Sequence, residues 1–189
     1  LVRHVSQHFD ITDQPGDVIA EGEALEQALL AVRAEREELE GRTRQRLSAA
    51  EAAIFAAQRE LLADPVLTRD ALATIMQGHG AAWSWQRALR ARIDKLQKVD
   101  DPLLAARAVD LRDVGERVLA QLLGIERQQL TLTEPSILAA DDLTPSDTLH
   151  LDTRYVVGLA TSVGGPTSHT AILARTLGLP EIGRASCRE

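Results

Sequence analysis

Apolar and polar positions alternate at helical spacing over the first two thirds of the chain. An apolar stripe at i, i+3, i+4 and i+7 predicts a long amphipathic helix from Glu21 to Arg46. The stripe consists of Leu25, Ala28, Leu29 and Val32. Ser48, with Glu51 in the capping-box position, predicts the start of a second helix. That helix should end before Asp64-Pro65, because proline disfavours helical geometry in the residue before it.

Three more helical segments follow the second helix. A short one ends near Gln77, ahead of the breaker sequence Gly78-His79-Gly80. A longer segment runs from Ala81 to Val99. The last begins after Asp101-Pro102, a cap followed by a helix-start proline, and closes on Gly124. These segments with short connections predict a helical bundle.

The pattern changes after Gly124. Residues 136–143 and 155–162 are short β-like runs, and Thr144 to Asp147 between them resembles a helix start. A glycine loop at 164–166, a helix over 168–178 and a strand near 179–182 follow. The order strand, helix, strand, helix, strand indicates an α/β unit. The predicted fold is therefore an α/β subdomain with an inserted all-α helical bundle. The α/β part comprises residues 1–20 and 125–181, and the bundle comprises residues 21–124.

Composition agrees with a globular helix-rich chain. Of the 189 residues, 44% are apolar, 26% are charged and 3% are aromatic. The net charge of −7 argues against a nucleic-acid surface. The single Cys excludes a disulfide framework and a cysteine-based zinc site. We expect no membrane span, because no apolar run approaches about 20 residues. We expect a cytoplasmic location, because the sequence shows no signal peptide.

The segment from Gly164 to Pro180 carries the candidate chemistry. His169 lies in the first turn of a predicted helix, where unpaired N–H groups and the helix dipole favour an anion. Residues suited to a phosphate cradle surround it: Gly164, Gly165, Thr167, Ser168 and Thr170. A neutral imidazole here could act as a nucleophile, and its ordinary pKa of about 6.5 makes that form available near pH 7. Taken alone, these residues also fit a capping serine followed by a polar first-turn histidine.

Residues 164–180 closely resemble the phosphohistidine signature of enzyme I, the phosphoenolpyruvate-protein phosphotransferase of the bacterial sugar phosphotransferase system. Residues 137–151 resemble the strand and helix that precede the active histidine in that family. Residues 106–124 are similar to its last bundle helix, and residues 52–67 are similar to its second. The similarity spans most of the chain from Glu21 to Pro180.

The resemblance implies a phosphohistidine swivelling subdomain with an inserted helical subdomain that binds the small phosphocarrier HPr. It implies that Nε2 of His169 takes a phosphoryl group from phosphoenolpyruvate and passes it to a histidine of HPr. The hydroxyl of Thr148 would orient the imidazole. The HPr-binding residues that the resemblance implies are Gln58, Leu61, Leu62, Leu67 and Arg112.

Other properties also follow from the resemblance. In the family, a C-terminal barrel binds phosphoenolpyruvate and Mg²⁺ and drives dimerisation, and we find no counterpart of it in this sequence. We therefore expect no cofactor here, a monomer, and phosphoryl exchange with HPr but no direct charging from phosphoenolpyruvate. Residues 182–189 match the translation of a common sequencing adapter and are excluded from the fold prediction.

Three alternatives stay open at this point. The first is a swivelling domain of a pyruvate phosphate dikinase or phosphoenolpyruvate synthase, although those lack the inserted bundle. The second is a non-catalytic module that only binds HPr. The third concerns the parent, which could be a fused multiphosphoryl transfer protein.

Overall fold

The computed structural model describes eight stretches of the chain: residues 2–4, 9, 11–46, 48–125, 132–140, 143, 151–162 and 169–183. The chain divides into two compact units. One unit combines residues 1–8 with 128–189, and the other is the continuous stretch 9–127. The helical unit is thus inserted in the chain of the α/β unit, as the sequence predicts.

Five helices form the described part of the helical unit. Their bounds are α1 Val18–Arg46, α2 Ala49–Leu62, α3 Pro65–Ile75, α4 Ala81–Gln97 and α5 Pro102–Leu122. The predicted caps are confirmed, since Ser48 accepts from the N–H groups of Ala50 and Glu51, and Asp101 caps α5. The helix α1 begins three residues before the predicted Glu21. The physical reason is Asp17, whose Oδ1 accepts hydrogen bonds from the N–H groups of Ile19 and Ala20.

The core of the helical unit is apolar and draws on all five helices. The stripe predicted on α1 is buried in it, and so is Trp85 of α4, which is 0% exposed. The indole Nε1 of Trp85 donates to the carbonyl oxygen of Gly115 on α5 at 3.0 Å. A Cβ at Gly115 would lie 2.4 Å from Cδ2 of Leu89, so this glycine permits close packing of α4 on α5.

Residues 9–17 belong with the helices, so the helical unit begins earlier than the predicted boundary at Glu21. Side chains of α4 and of the turn before it hold this entry segment in place. Nε2 of Gln86 donates to the carbonyl oxygen of Phe9 at 3.0 Å, and Asp13 contacts His79. These contacts lie far apart in sequence, so local patterns carry no sign of them.

The α/β unit contains a four-stranded parallel sheet in its described part. The strands are β1 Val2–His4, β2 Ser136–Ala140, β3 Val156–Thr161 and β4 Glu181–Ile182, and they lie in that order. The helix α6, His169–Thr176, lies between β3 and β4 in the chain. The strand order agrees with the predicted α/β class. The helix start predicted at residues 144–147 lies outside the described residues.

A second, smaller core lies on one face of this sheet. Leu138, Val156 and Leu159 of the central strands are buried together with Ala174 of α6. Gly178, with φ +70°, ends the segment after α6, and the N–H of Leu179 donates to the carbonyl oxygen of Ala174. Ile182, which lies in the segment excluded from the fold prediction, belongs to β4 and pairs with Ala160 of β3.

Candidate functional site

The backbone of His169 begins α6, as the sequence predicts. Thr170 belongs to the same first turn. Ala171 and Ala174 are buried, which anchors the first two turns of the helix. A helix start of this kind directs unpaired backbone N–H groups and a partial positive charge at whatever lies before it. The predicted cradle and orienting residues Thr148, Gly164, Gly165, Thr167 and Ser168 lie outside the described residues.

Strand β3 precedes this helix in the chain and carries a polar contact at its carboxyl end. The hydroxyl of Thr161 donates to Oε1 of Glu181 on β4 at 3.1 Å. Thr161 is 7% exposed, so a buried polar bridge joins these neighbouring strands. In open parallel sheets, ligands bind beyond the carboxyl ends of the strands. This bridge therefore lies at the edge of the sheet where such sheets hold ligands.

The residues predicted to contact a partner protein separate into two groups. Gln58, Leu62 and Leu67 are almost completely buried, with exposed fractions of 0%, 2% and 2%. In this structure these three side chains pack between helices and are not accessible to a partner protein. Leu61 on α2 is partly exposed, and Arg112 on α5 is exposed. Of the five predicted contact residues, these two present side-chain surface.

A buried chain of polar side chains crosses the helical unit, and the sequence analysis missed it. Arg36 on α1 is 0% exposed, and its Nη1 donates to Oε1 of Gln58 at 3.3 Å. Nε2 of Gln58 donates to Oδ2 of Asp113 on α5 at 3.1 Å. Arg117 completes the series, with Nε 3.4 Å from Oδ1 of Asp113 and Nη1 3.0 Å from Oε1 of Glu35.

Burial governs the electrostatics of this chain. It lowers the pKa of Arg36, and the neighbouring charge of Arg117 lowers that pKa further. The carboxylates of Glu35 and Asp113 act in the opposite direction and favour the charged guanidinium. The available sequence signal was the position of Arg36, which continues the apolar stripe of α1 one turn after Val32.

The turn before α4 holds a further polar cluster. Nδ1 of His79 lies 2.6 Å from Oδ2 of Asp13, and the N–H of Gly80 donates to Oδ1 of the same aspartate at 3.0 Å. The hydrogen bond with His79 is the main cause that lowers the pKa of Asp13. His79 also stacks on Trp83, with ring centroids 4.5 Å apart. These contacts are those of a structural residue.

The described residues show neither a metal-ligand cluster nor a helix suited to a membrane. In those parts of the chain, no three His, Cys, Asp or Glu side chains lie together as a metal site would require. Among the same residues, no helix has the length and apolar character that crossing a membrane demands.

Comparison with known proteins gives a consistent result. Residues 2–107 match the family described as PEP-utilising enzyme, N-terminal, and residues 132–187 match PEP-utilising enzyme, mobile domain. A multiphosphoryl transfer protein of Xanthomonas campestris pv. campestris is 48% identical over 177 residues, which cover 92% of this chain and 21% of the relative. A phosphoenolpyruvate-protein phosphotransferase of Bacillus sp. (strain S) is 38% identical and is matched over 29% of its length. The chain thus spans under a third of these relatives.

Solved structures agree with these matches. An NMR solution structure of Enzyme I superposes with a TM-score of 0.73 at 32% identity, covering 96% of this chain and 75% of that one. A structure titled N-terminal domain of Enzyme 1 - Nitrogen gives a TM-score of 0.67 at 26% identity, covering 97% of this chain and 77% of that one. With the family matched over more than half of its residues, the chain belongs to the PEP-utilising enzymes, as part of their N-terminal and mobile domains.

Proposed function

We propose that this chain relays a phosphoryl group through His169 in the bacterial sugar phosphotransferase system, as part of a phosphoenolpyruvate-protein phosphotransferase. The observation that carries the proposal is the position of His169, the first residue of α6, in the region that matches the mobile domain. A helix N-terminus stabilises a bound phosphate through its N–H groups and its dipole. A phosphohistidine at this point would have its negative charge next to the positive end of α6.

The proposed chemistry makes one bond and breaks one in each step. The neutral Nε2 of His169 attacks the phosphorus of phosphoenolpyruvate, the N–P bond forms, and the P–O bond to the enol oxygen breaks. The enolate of pyruvate that leaves takes up a proton from water. In the second step a histidine of the carrier attacks, and the N–P bond to His169 breaks. Because both nucleophiles are imidazoles, this second step is readily reversible.

The remaining predicted residues would support the transfer. We propose that the hydroxyl of Thr148 orients the imidazole of His169. The cradle would consist of Gly164, Gly165, Thr167, Ser168 and Thr170. Donors in such a cradle act by fixing and neutralising the oxygens of the transferring group, since phosphoryl transfer depends mainly on position and charge.

We propose HPr as the phosphocarrier partner and the helical unit as its binding surface. The candidates for this contact are Leu61 of α2, which is partly exposed, and Arg112 of α5, which is exposed. Arginine is one of the residue types enriched among binding hot spots, which supports Arg112 as a contact residue. We further propose that the protein acts in the cytoplasm, where it would encounter the other proteins of the phosphotransfer series.

Mg²⁺ and phosphoenolpyruvate are the remaining ligands that the resemblance implies, both through the C-terminal barrel of full-length members. The described residues have no carboxylate cluster suited to Mg²⁺, so they do not fit that metal and we derive no step through it. The proposed assay therefore supplies the phosphoryl group from the carrier side.

The test is incubation of the chain with phosphorylated HPr, followed by intact mass spectrometry and phosphorus NMR. We expect an acid-labile phosphate on the parent chain and none on His169→Ala. His150→Ala is the matched control, because we assign this second histidine no role, and it should be phosphorylated like the parent. Binding of HPr without phosphate on a folded parent would leave a docking module. A folded chain with neither binding nor phosphate would overturn the proposal.

A further inference from the structure

Gln58 is buried between two other helices and uses both ends of its amide. Its Oε1 accepts from Arg36 on α1, and its Nε2 donates to Asp113 on α5. Glutamine is rarely buried to this extent. A buried amide is stable only where its N–H donor and its oxygen acceptor both have hydrogen-bond partners. The position of α2 is therefore fixed by partners on the helices at either side.

The side chains around Gln58 balance their charges. Glu35 and Asp113 are acidic, and Arg36 and Arg117 are basic. The ion pair between Arg117 and Glu35 joins α5 to α1, whereas Arg36 pairs with Glu35 within α1 and Arg117 pairs with Asp113 within α5. Gln58 is the neutral bridge between Arg36 and Asp113. A desolvated network of this kind is favourable in the arrangement that satisfies its members, and a slide or rotation of one helix breaks it. The network therefore fixes the relative positions of α1, α2 and α5.

Each end of the hydrogen bond between Gln58 and Asp113 lies close in sequence to one of the two contact candidates, Leu61 and Arg112. Leu61 is three residues after Gln58 on α2, close to one turn along the same helix. Arg112 is the immediate neighbour of Asp113 on α5. The hydrogen bond between Gln58 and Asp113, 3.1 Å long, consequently ties the backbone segment that carries Leu61 to the segment that carries Arg112.

We infer that Gln58 is a positioning residue, which sets the distance and orientation between Leu61 and Arg112 and so pre-forms the binding surface for the phosphocarrier. The inference rests on the proposed function. It gives the glutamine a different role from the one that the resemblance implies, since a buried amide acts through the network and not by touching the partner. Loss of the network then weakens recognition and leaves the chemistry at His169 unchanged.

The experiment compares Gln58→Leu with the parent in single-turnover phosphorylation by phosphorylated HPr at varied HPr concentration. Leucine is close to glutamine in volume and removes both hydrogen bonds. We expect the concentration at half-maximal rate to rise about tenfold while the maximal rate stays within about twofold, the pattern of lost binding without lost transition-state stabilisation. Gln58→Asn keeps the amide but shortens its reach, and it should show the same pattern to a smaller degree.

The control variants are Ile93→Val and Ile93→Ala on α4, at a buried position outside the network. Whichever isoleucine variant lowers the melting temperature by the same amount as Gln58→Leu serves as the control. It should leave the half-maximal concentration at the parent value. If Gln58→Leu fails to fold, Gln58→Asn takes its place in the comparison.

The outcomes separate the two proposals. A parent chain that is never phosphorylated overturns the proposed function. A phosphorylated parent together with an unchanged half-maximal concentration for the glutamine variant overturns only the positioning role. An equal rise in the matched isoleucine variant overturns it too, because general loss of stability would then account for the effect.

Discussion

Nδ1 of His79 and Oδ2 of Asp13 lie 2.6 Å apart, and this contact fastens the entry segment of the helical unit to the turn before α4. The hydrogen bond lowers the pKa of Asp13, so the folded protein holds the carboxylate in its charged form more strongly than the unfolded chain does. The stabilisation is present above the ordinary pKa of 3.8 and is lost as the pH falls through the lower value of the folded state.

Asp13→Asn should therefore be destabilising at neutral pH, and the difference from the parent should shrink on acidification below pH 3.8. Asparagine keeps an oxygen that accepts from the N–H of Gly80 but loses the charge. Urea unfolding at a series of pH values measures both free energies. Asp100→Asn, an exposed site, is the control. A difference from the parent that is independent of pH would contradict the assignment.

Gly80→Ala tests how closely the entry segment lies against the same turn. A Cβ at this position would lie 2.4 Å from the carbonyl oxygen of Gln14, so one of the two backbones has to move. We expect a loss of about 1–3 kcal/mol in the free energy of unfolding. Gly41→Ala in α1 is the control, since a Cβ there meets nothing within 4 Å and should stabilise the helix by about 0.5–1 kcal/mol. Equal effects of both changes would be inconsistent with this geometry.

Ser48→Ala removes the cap of α2. The side chain of Ser48 accepts from the N–H groups of Ala50 and Glu51 and also contacts the carboxylate of Glu51. Thermal or denaturant unfolding should show a loss of about 1 kcal/mol. Ser48→Asp keeps a capping oxygen and should retain most of the stability. If Ser48→Ala is as stable as the parent, then packing alone holds α2 in place.

Arg112→Ala tests the binding surface. Because the side chain is exposed, its loss should change the free energy of unfolding by no more than about 0.5 kcal/mol. On the proposed function, the dissociation constant for HPr should rise about tenfold or more, as titration calorimetry would measure. Arg107→Ala is an exposed arginine on the same helix and serves as the matched control. Similar weakening by both variants would indicate a general effect of charge.

Features that depend on near neighbours in the chain were predictable from the sequence. The cap at Ser48, the proline start at Pro102 and the helix start at His169 are each encoded within a few residues, and the structure has all three. The apolar stripe from Leu25 to Val32 is likewise buried. Local hydrogen bonds and helical periodicity decide these features, so a short window of sequence contains the information.

Features that depend on distant partners were not predictable in the same way. Gln58 was assigned to a binding surface by resemblance, and its burial follows from Arg36 and Asp113 on other helices. The entry segment joins the bundle through Asp13, whose partner His79 lies in another part of the chain. Nothing within a local window distinguishes a polar residue that has such a partner from one that faces water.

The pairing of Val2 with Leu138 has a consequence for synthesis on the ribosome. Strand β1 is translated before the helical unit, and its partner strand β2 follows only after the whole helical unit, a delay on the order of ten seconds at about 5–20 residues per second. Helical segments with nearby contacts fold far faster than that. The helical unit should thus be folded before β1 can pair with β2, so the sheet forms after the bundle.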